Sequence, residues 1–251
     1  MVGGVSPGPS TISGLRWLAA VGPVPLGAWG IAMGWGQAAV YSHARRLKAS
    51  EWVQTCSRTR GLGSLIWATQ AGVTVSAVTA AGVAGPPAPV TWPHLDGCAW
   101  TAAWLTARGR GLVGPREMLV QDRGRGELRW REHGEQRRRG HPPDLAGRLP
   151  TGETLPIEVE LTLKSPARLR AVLGLHAAWV SGGRTPAVIY VCGTTDVAER
   201  VRLEGRAAGL SVEHGRLRVE LLQAIREQAV AASAIAATEW HAGSGVIARA
   251  A

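Results

Sequence analysis

At 251 residues, with a formal net charge of +10 and a pI near 11.0, the chain is long enough for two ordinary domains and carries the charge of a polyanion binder, although a basic membrane-surface protein would carry the same. All but Lys48 and Lys164 of the 28 basic residues are arginine. Cys56, Cys98 and Cys192 are far apart and never form a Cys-x-x-Cys pair, which argues against a disulfide framework or a structural zinc site and for a reducing cytoplasm.

Residues 1–10 are rich in Gly, Pro and Ser and are expected to be disordered. From Ile12 the pattern turns helical, with Ile12, Leu15, Leu18 and Ala19 on one side and Ser10 or Thr11 placed to cap the start. Gly22-Pro23 ends that helix, a second is expected over Leu26 to Met33, and a third from Gln37 to about Ala49. Trp17 to Ser42 carries no charge but is broken by Pro and Gly and is not expected to span a membrane. No signal peptide is expected either, the first Arg being Arg16.

In the third helix Ala39, Val40, His43 and Leu47 can face inward, which leaves Gln37, Tyr41, Ser42, Arg45, Arg46 and Lys48 for solvent or DNA. Glu51 to Ser57 and Leu65 to Thr69 read as strands around a basic glycine turn that holds Arg58 and Arg60. Three helices and a hairpin are the pattern of a winged helix-turn-helix whose wing tracks phosphate. The plainer alternative is a small helical bundle with a solvated basic helix. Val73 to Pro93 is uncharged and contains Gly85-Pro86-Pro87-Ala88-Pro89, the composition of a linker.

A helix follows from about His94 to Arg108, then a strongly basic run that includes Arg137, Arg138 and Arg139. Such a run is ordinarily a solvated face, and beside an active site it also holds a phosphate backbone. Beyond it, period two places Glu158, Glu160, Thr162 and Lys164 on one strand face and Ile157, Val159, Leu161 and Leu163 on the other. Folding about Pro150-Thr151-Gly152-Glu153 brings Asp144 opposite Glu158 or Glu160. Residues two apart lie about 6.6 Å along a strand, so Asp144, Glu158 and Glu160 can converge on one hard cation, whereas Lys164 lies about 13 Å from Glu160 and needs its long side chain or a bulge to return. Lysine there can orient a nucleophilic water or stabilise a pentacovalent phosphate. The plainer alternative is a polar outer face satisfied by water and arginines. His141 beside Pro142-Pro143-Asp144 is a candidate accessory acid or base. After the strand come a helix from Ser165-Pro166 to about Val180, a buried strand over Ala187 to Cys192, a helix over Thr195 to Gly209 and a strand over Leu217 to Leu222.

Pro143-Asp144, the hairpin and Glu158-Val159-Glu160 resemble the PD-(D/E)-x-K nuclease superfamily, with Glu160 in the usual lysine position. The whole chain from Ile12 to Val230 resembles the replication-relaxation family of actinobacterial plasmids and integrative elements. The matching pieces are Leu15-Arg16-Trp17-Leu18, His43-Ala44-Arg45-Arg46-Leu47, Leu65 to Gly72, Arg116-Glu117, Pro143-Asp144, Ile157 to Leu161 and Lys164-Ser165. The resemblance implies Mg2+ or Mn2+ held by Asp144 and Glu158, with Glu160 as base or further ligand, Lys164 as a further catalytic residue, and Glu117 matching an acidic residue on an earlier helix. It also implies a role in replication or mobilisation of a mobile element, acting on double-stranded DNA as a metal-dependent endonuclease or nickase. The alternative is a non-catalytic regulator or replication initiator that keeps the nuclease fold as a scaffold.

The expected fold is thus α+β or α/β: a winged helix-turn-helix over 11–80, a linker over 81–93, a nuclease-like mixed sheet flanked by helices over 94–230, and a disordered tail over 231–251. The expected partners are DNA, a second copy or element-encoded replication proteins, and no membrane. Tyr41 and Tyr190 are the only tyrosines and no His-x-His occurs, so covalent strand transfer by a tyrosine nucleophile is not expected.

Overall fold

The computed structural model describes residues 8–57, 64–77, 84–115, 117–118, 127–132 and 135–247. Among these the fold is mixed α+β, with eight α-helices, a three-stranded sheet, a five-stranded mixed sheet and a two-stranded ribbon.

Helix α1 (Pro9–Val21) starts with proline at its first turn, where the missing N–H costs nothing, and not with a Ser10 or Thr11 cap. Strand β1 (Val24–Pro25), α2 (Leu26–Met33), α3 (Gln37–Ala49), β2 (Val53–Ser57) and β3 (Ser64–Ala68) follow, and the strands pair antiparallel in the order β1-β3-β2. Strand β1 is absent from the sequence expectation because two residues, one of them Pro25, leave no alternation to read. Helix α4 (Gln70–Ser76) is absent from it as well; Thr69 caps this helix by accepting a hydrogen bond from the Gly72 amide.

A short turn at Pro89–Thr91 leads into α5 (Trp92–Ala107), which is central to the larger of the hydrophobic cores. Cys98, Ala99, Ala102, Ala103, Trp104 and Leu105 of this helix are buried in one core that runs from Leu15, Leu18 and Trp29 to Ile157, Val191 and Ile225. The Trp17 indole N–H donates to Thr106 Oγ1 at 3.0 Å and the Trp104 indole to Gln228 Oε1 at 3.0 Å. Small alanines let α5 lie close to both neighbours, and the two indoles tie it to α1 and to the C-terminal helix.

The larger sheet has the order β10-β9-β8-β7-β4. Strands β4 (Gly111–Val113), β7 (Leu145–Arg148) and β8 (Thr154–Glu160) pair antiparallel; β8, β9 (Val188–Cys192) and β10 (Leu217–Leu221) pair parallel. Helices α6 (Pro166–Ser181) and α7 (Thr195–Ala207) supply the parallel crossovers, and α8 (Leu222–Ile247) follows β10. Ile157, Val159, Ile189 and Val191 face the core shared with α5 and α8. Val188, Tyr190 and Cys192 face a second core made with Leu169, Val172 and Leu173 of α6 and Val197 and Val201 of α7. Strand β8 is therefore covered on both sides, and Glu158 and Glu160 lie beside Tyr190 and Cys192 on the second face.

Two further differences from the sequence reading have plain causes. The arginine-rich stretch read as loop or solvated face forms a ribbon of β5 (Glu127–Glu132) and β6 (Glu135–Gly140), because strand pairing satisfies backbone that a loop would leave to water. Helix α8 runs on to Ile247, past residue 231 where the sequence suggests a disordered tail, and its alanines are the strongest helix formers. Among the described residues no helix is long and apolar enough to cross a membrane.

Candidate metal centre

Strands β7 and β8 are joined through Leu149–Glu153, where the Leu149 amide donates to the Glu153 carbonyl at 2.8 Å. Pairing of Leu145 with Ile157 continues to set Asp144 against Glu158, as the hairpin reading expects. Asp144 Oδ2 accepts the Val159 amide at 2.8 Å, and Oδ1 lies 3.1 Å from His94 Nε2 on the first turn of α5. Burial alone would raise the Asp144 pKa, but His94 and the amide outweigh it and hold the carboxyl below its ordinary value. The same hydrogen bond raises His94 above its usual range against the opposing effect of burial.

Glu158 is 1% exposed. Its Oε1 lies 3.0 Å from His141 Nε2, on the segment between β6 and β7, and 3.5 Å from His176 Nε2 of α6. Burial and the nearby Asp144 charge raise its pKa, and His141 opposes them. His176 is fully buried; its Nδ1 lies 3.0 Å from the Tyr190 hydroxyl, while Nε2 has no hydrogen-bond partner among the described residues. Burial, helped by the charges of His141 and Lys164, lowers its pKa to about 3, so the ring is neutral. Burial likewise pushes Cys98 and Tyr190 well above their ordinary values.

Strand β8 ends at Glu160, and the chain then leaves the sheet through Leu161–Ser165. Gly193 permits this exit: a Cβ there would stand 2.7 Å from the Leu161 carbonyl oxygen. Because the strand stops, Lys164 does not lie a strand's length from Glu160 but folds back and pairs with its carboxylate through Nζ and Oε2. Burial raises the Glu160 pKa and Lys164 opposes it.

His94, His141, Asp144, Glu158, Glu160 and Lys164 all line one cavity of about 590 Å³. The four residues expected from the sequence are thus brought to a single wall. Their grouping differs from the expected set. Among the described residues two groups have all their ligand atoms within 4.8 Å of one another: His94 with Cys98 and Asp144, and His141 with Glu158 and His176. Asp144, Glu158 and Glu160 do not form such a group. The Val159 amide turns Asp144 toward α5, His141 holds Glu158 with His176 Nε2 3.5 Å away, and Lys164 takes Glu160. Sequence alternation could not locate His94 or His176, which come from separate helices; the only local signal is the four-residue spacing of His94 and Cys98, which puts both on one helix face. Glu117 stands 3.7 Å from Arg148 and does not line the cavity.

On α3, Gln37, Tyr41, Arg45, Arg46 and Lys48 are exposed as expected. The inward stripe is Val40, Ala44 and Leu47; Ala39 is exposed, one residue off that stripe, and His43 is half-buried and stacked on Trp35 at 4.0 Å between ring centroids. Arg58 and Arg60 lie outside the described residues. Arg137, Arg138 and Arg139 lie on β6, paired with Trp130, Arg129 and Leu128.

No protein-family model matches the chain, and neither a curated protein nor a solved structure matches it.

Proposed function

We propose that the chain is a cytoplasmic DNA-binding protein that serves replication or mobilisation of a mobile element and hydrolyses phosphodiester bonds at this cavity. The element order from α1 to β3, with β1 closing the sheet beside β3, supports a winged helix-turn-helix in which α3 enters the major groove. The β7–β8 hairpin on a mixed sheet flanked by helices supports the likeness to PD-(D/E)-x-K nucleases and to the replication-relaxation family. Glu158 carries the proposal: a carboxylate 1% exposed, bonded to His141 with the buried His176 ring 3.5 Å away, on the wall that also presents Asp144, Glu160 and Lys164. Burying so many ionisable groups in one place costs folding free energy, and such concentrations mark sites of chemistry.

The chain's own groups suit hydrolysis. The Lys164 ammonium neutralises a non-bridging phosphate oxygen. Glu160, made more basic by burial, accepts the proton of the attacking water. His94, made easier to protonate by Asp144, returns a proton to the leaving oxygen. A divalent cation, were one held by side chains of this wall, would supply a Lewis acid to the phosphoryl group. The Mg2+ or Mn2+ implied by the nuclease likeness requires mostly oxygen ligands. Asp144, Glu158 and Glu160 offer them but do not converge, and each already has a nitrogen partner. Mg2+ therefore has no three-carboxylate seat among the described residues, and the proton transfers fall to the side chains alone.

The test is incubation of supercoiled and linear DNA with the full chain and Mg2+, Mn2+ or Zn2+. Wild type is expected to cleave, and Asp144→Ala and Glu158→Ala are expected not to. Equal results from all three overturn hydrolysis. The second reading, a DNA-binding regulator or initiator on a nuclease-like scaffold, then stands; in its favour, Asp144 is satisfied by His94 and the Val159 amide, and Glu160 by Lys164, without any cation.

A further inference from the structure

We propose that His141, Glu158 and His176 form a binding site for a transition-metal ion of the zinc class, with two imidazole nitrogens and one carboxylate oxygen as ligands and a remaining position turned to the cavity. The site shares its cavity with the proposed hydrolysis but does not depend on it.

The spacing suits such an ion. Two ligands about 2.0–2.1 Å from a tetrahedral centre stand about 3.3 Å from each other. His141 Nε2 and His176 Nε2 lie 3.0 Å and 3.5 Å from Glu158 Oε1, on either side of that value, and all three ligand atoms fall within 4.8 Å of one another. A proton shared by His141 and Glu158 accounts for the shorter contact but leaves His176 unexplained. That ring is 0% exposed, and its Nε2 has no hydrogen-bond partner among the described residues. Fully buried nitrogens are rarely left so, because the lost hydration is not recovered. An ion beside Nε2 completes it.

The outer contact agrees. His176 Nδ1 lies 3.0 Å from the hydroxyl of Tyr190, itself 0% exposed on β9. When Nδ1–H donates to that oxygen, the Nε2 lone pair is left facing Glu158, the arrangement that orients metal-bound histidines generally. Imidazole with carboxylate suits zinc and its neighbours, whereas Mg2+ takes oxygen ligands and keeps its waters. His141 and Glu158 line the cavity and His176 stands behind them. An ion there would sit in the cavity wall with a coordination position free for water or a phosphate oxygen, the pattern of catalytic rather than structural zinc. The other group is a weaker seat. His94 Nε2 and Asp144 Oδ1 are bonded to each other, and burial keeps the Cys98 thiol protonated.

The experiment uses metal-stripped full-length chain dialysed against Zn2+ with an excess of Mg2+, with bound metal read by elemental analysis and coordination by the visible absorption of the Co2+-loaded protein. Wild type is expected to retain one zinc per chain and to show the intense absorption of four-coordinate Co2+. His141→Ala, at a partly exposed loop position, and His176→Gln are each expected to bind at least roughly tenfold more weakly. Cys98→Ala is expected to bind as wild type. Circular dichroism confirms that each variant is folded, and zinc is expected to raise the melting temperature of wild type but not of the two histidine variants. A folded wild type that takes up no zinc overturns the proposal, as does zinc binding abolished in Cys98→Ala and kept in His141→Ala. Zinc binding without DNA cleavage counts against hydrolysis alone.

Discussion

Helix α3 and the cavity wall both carry Lys and His among their ionisable residues, in opposite physical settings. On α3, Arg45, Arg46 and Lys48 are exposed along one helix, each hydrated and screened by salt. At the cavity, Glu158, Glu160 and His176 are buried, and their neighbours arrive from α6, β9 and the segments on either side of the β7–β8 hairpin. A charge on a solvated helix costs little and acts through the summed field of its neighbours. A charge at the wall persists only because particular groups compensate it, so its chemistry is set by those groups.

The comparison breaks most readily at Glu158. Glu158→Gln keeps the shape but removes the negative charge between two imidazoles, and it is expected to slow DNA cleavage by roughly 100-fold or more while leaving DNA affinity nearly unchanged. Cleavage and filter-binding assays on the same protein separate the two. An equal loss of both would mean that wall and binding helix are not independent.

The packing between the two regions can be attacked next. Gly114, just after β4, lies so close to α1 that a Cβ would come 2.0 Å from the Ala20 carbonyl oxygen. Gly114→Ala is expected to lower unfolding stability by about 1–3 kcal/mol, since backbone and not a flexible side chain must move. The midpoint of urea denaturation reads the change, and an unshifted midpoint would show that the two parts are not locked there.

A smaller effect is expected on α3. Arg45→Ala combined with Arg46→Ala should weaken DNA binding and reduce the slope of log affinity against log salt by about one for each phosphate no longer neutralised, with the melting temperature unchanged. An unchanged slope would place the DNA on another surface.

Acidification of the metal-free chain tests the buried ring itself. Burial holds His176 at about 3 against an ordinary 6.5, so between those values the unfolded chain binds a proton that the folded chain does not. The stability due to the neutral ring is complete above pH 6.5 and is lost as the pH falls toward 3. The difference between wild type and His176→Gln isolates it from the carboxylates: wild type should lose more stability on acidification. Parallel curves would mean that the ring is protonated in the folded state.

Much of the architecture is legible in the chain because it is local. The apolar spacing of Val40 and Leu47 announces α3, the alternation of Ile157, Glu158, Val159 and Glu160 announces β8, and Ser165-Pro166 marks the start of α6. Strand β1 and helix α4 are not legible, since one is two residues long and the other lies in an uncharged run that resembles a linker. At the site, the hairpin that opposes Asp144 and Glu158 follows from turn residues and period two. The return of Lys164 to Glu160 does not, because it depends on where β8 stops, beside Gly193 of a different part of the chain, whose missing Cβ leaves room for the Leu161 backbone.

The amino-acid order by itself determined which side chains share a helix face or a strand face, because backbone periodicity acts over a few residues. Only the tertiary structure decided that His94, His141 and His176, spread over more than eighty residues of chain, take Asp144 and Glu158 as partners. Those pairings are made when α5 and α6 close over the sheet, and the energy that selects them is the cost of leaving a buried charge alone, which exists only once water has been excluded.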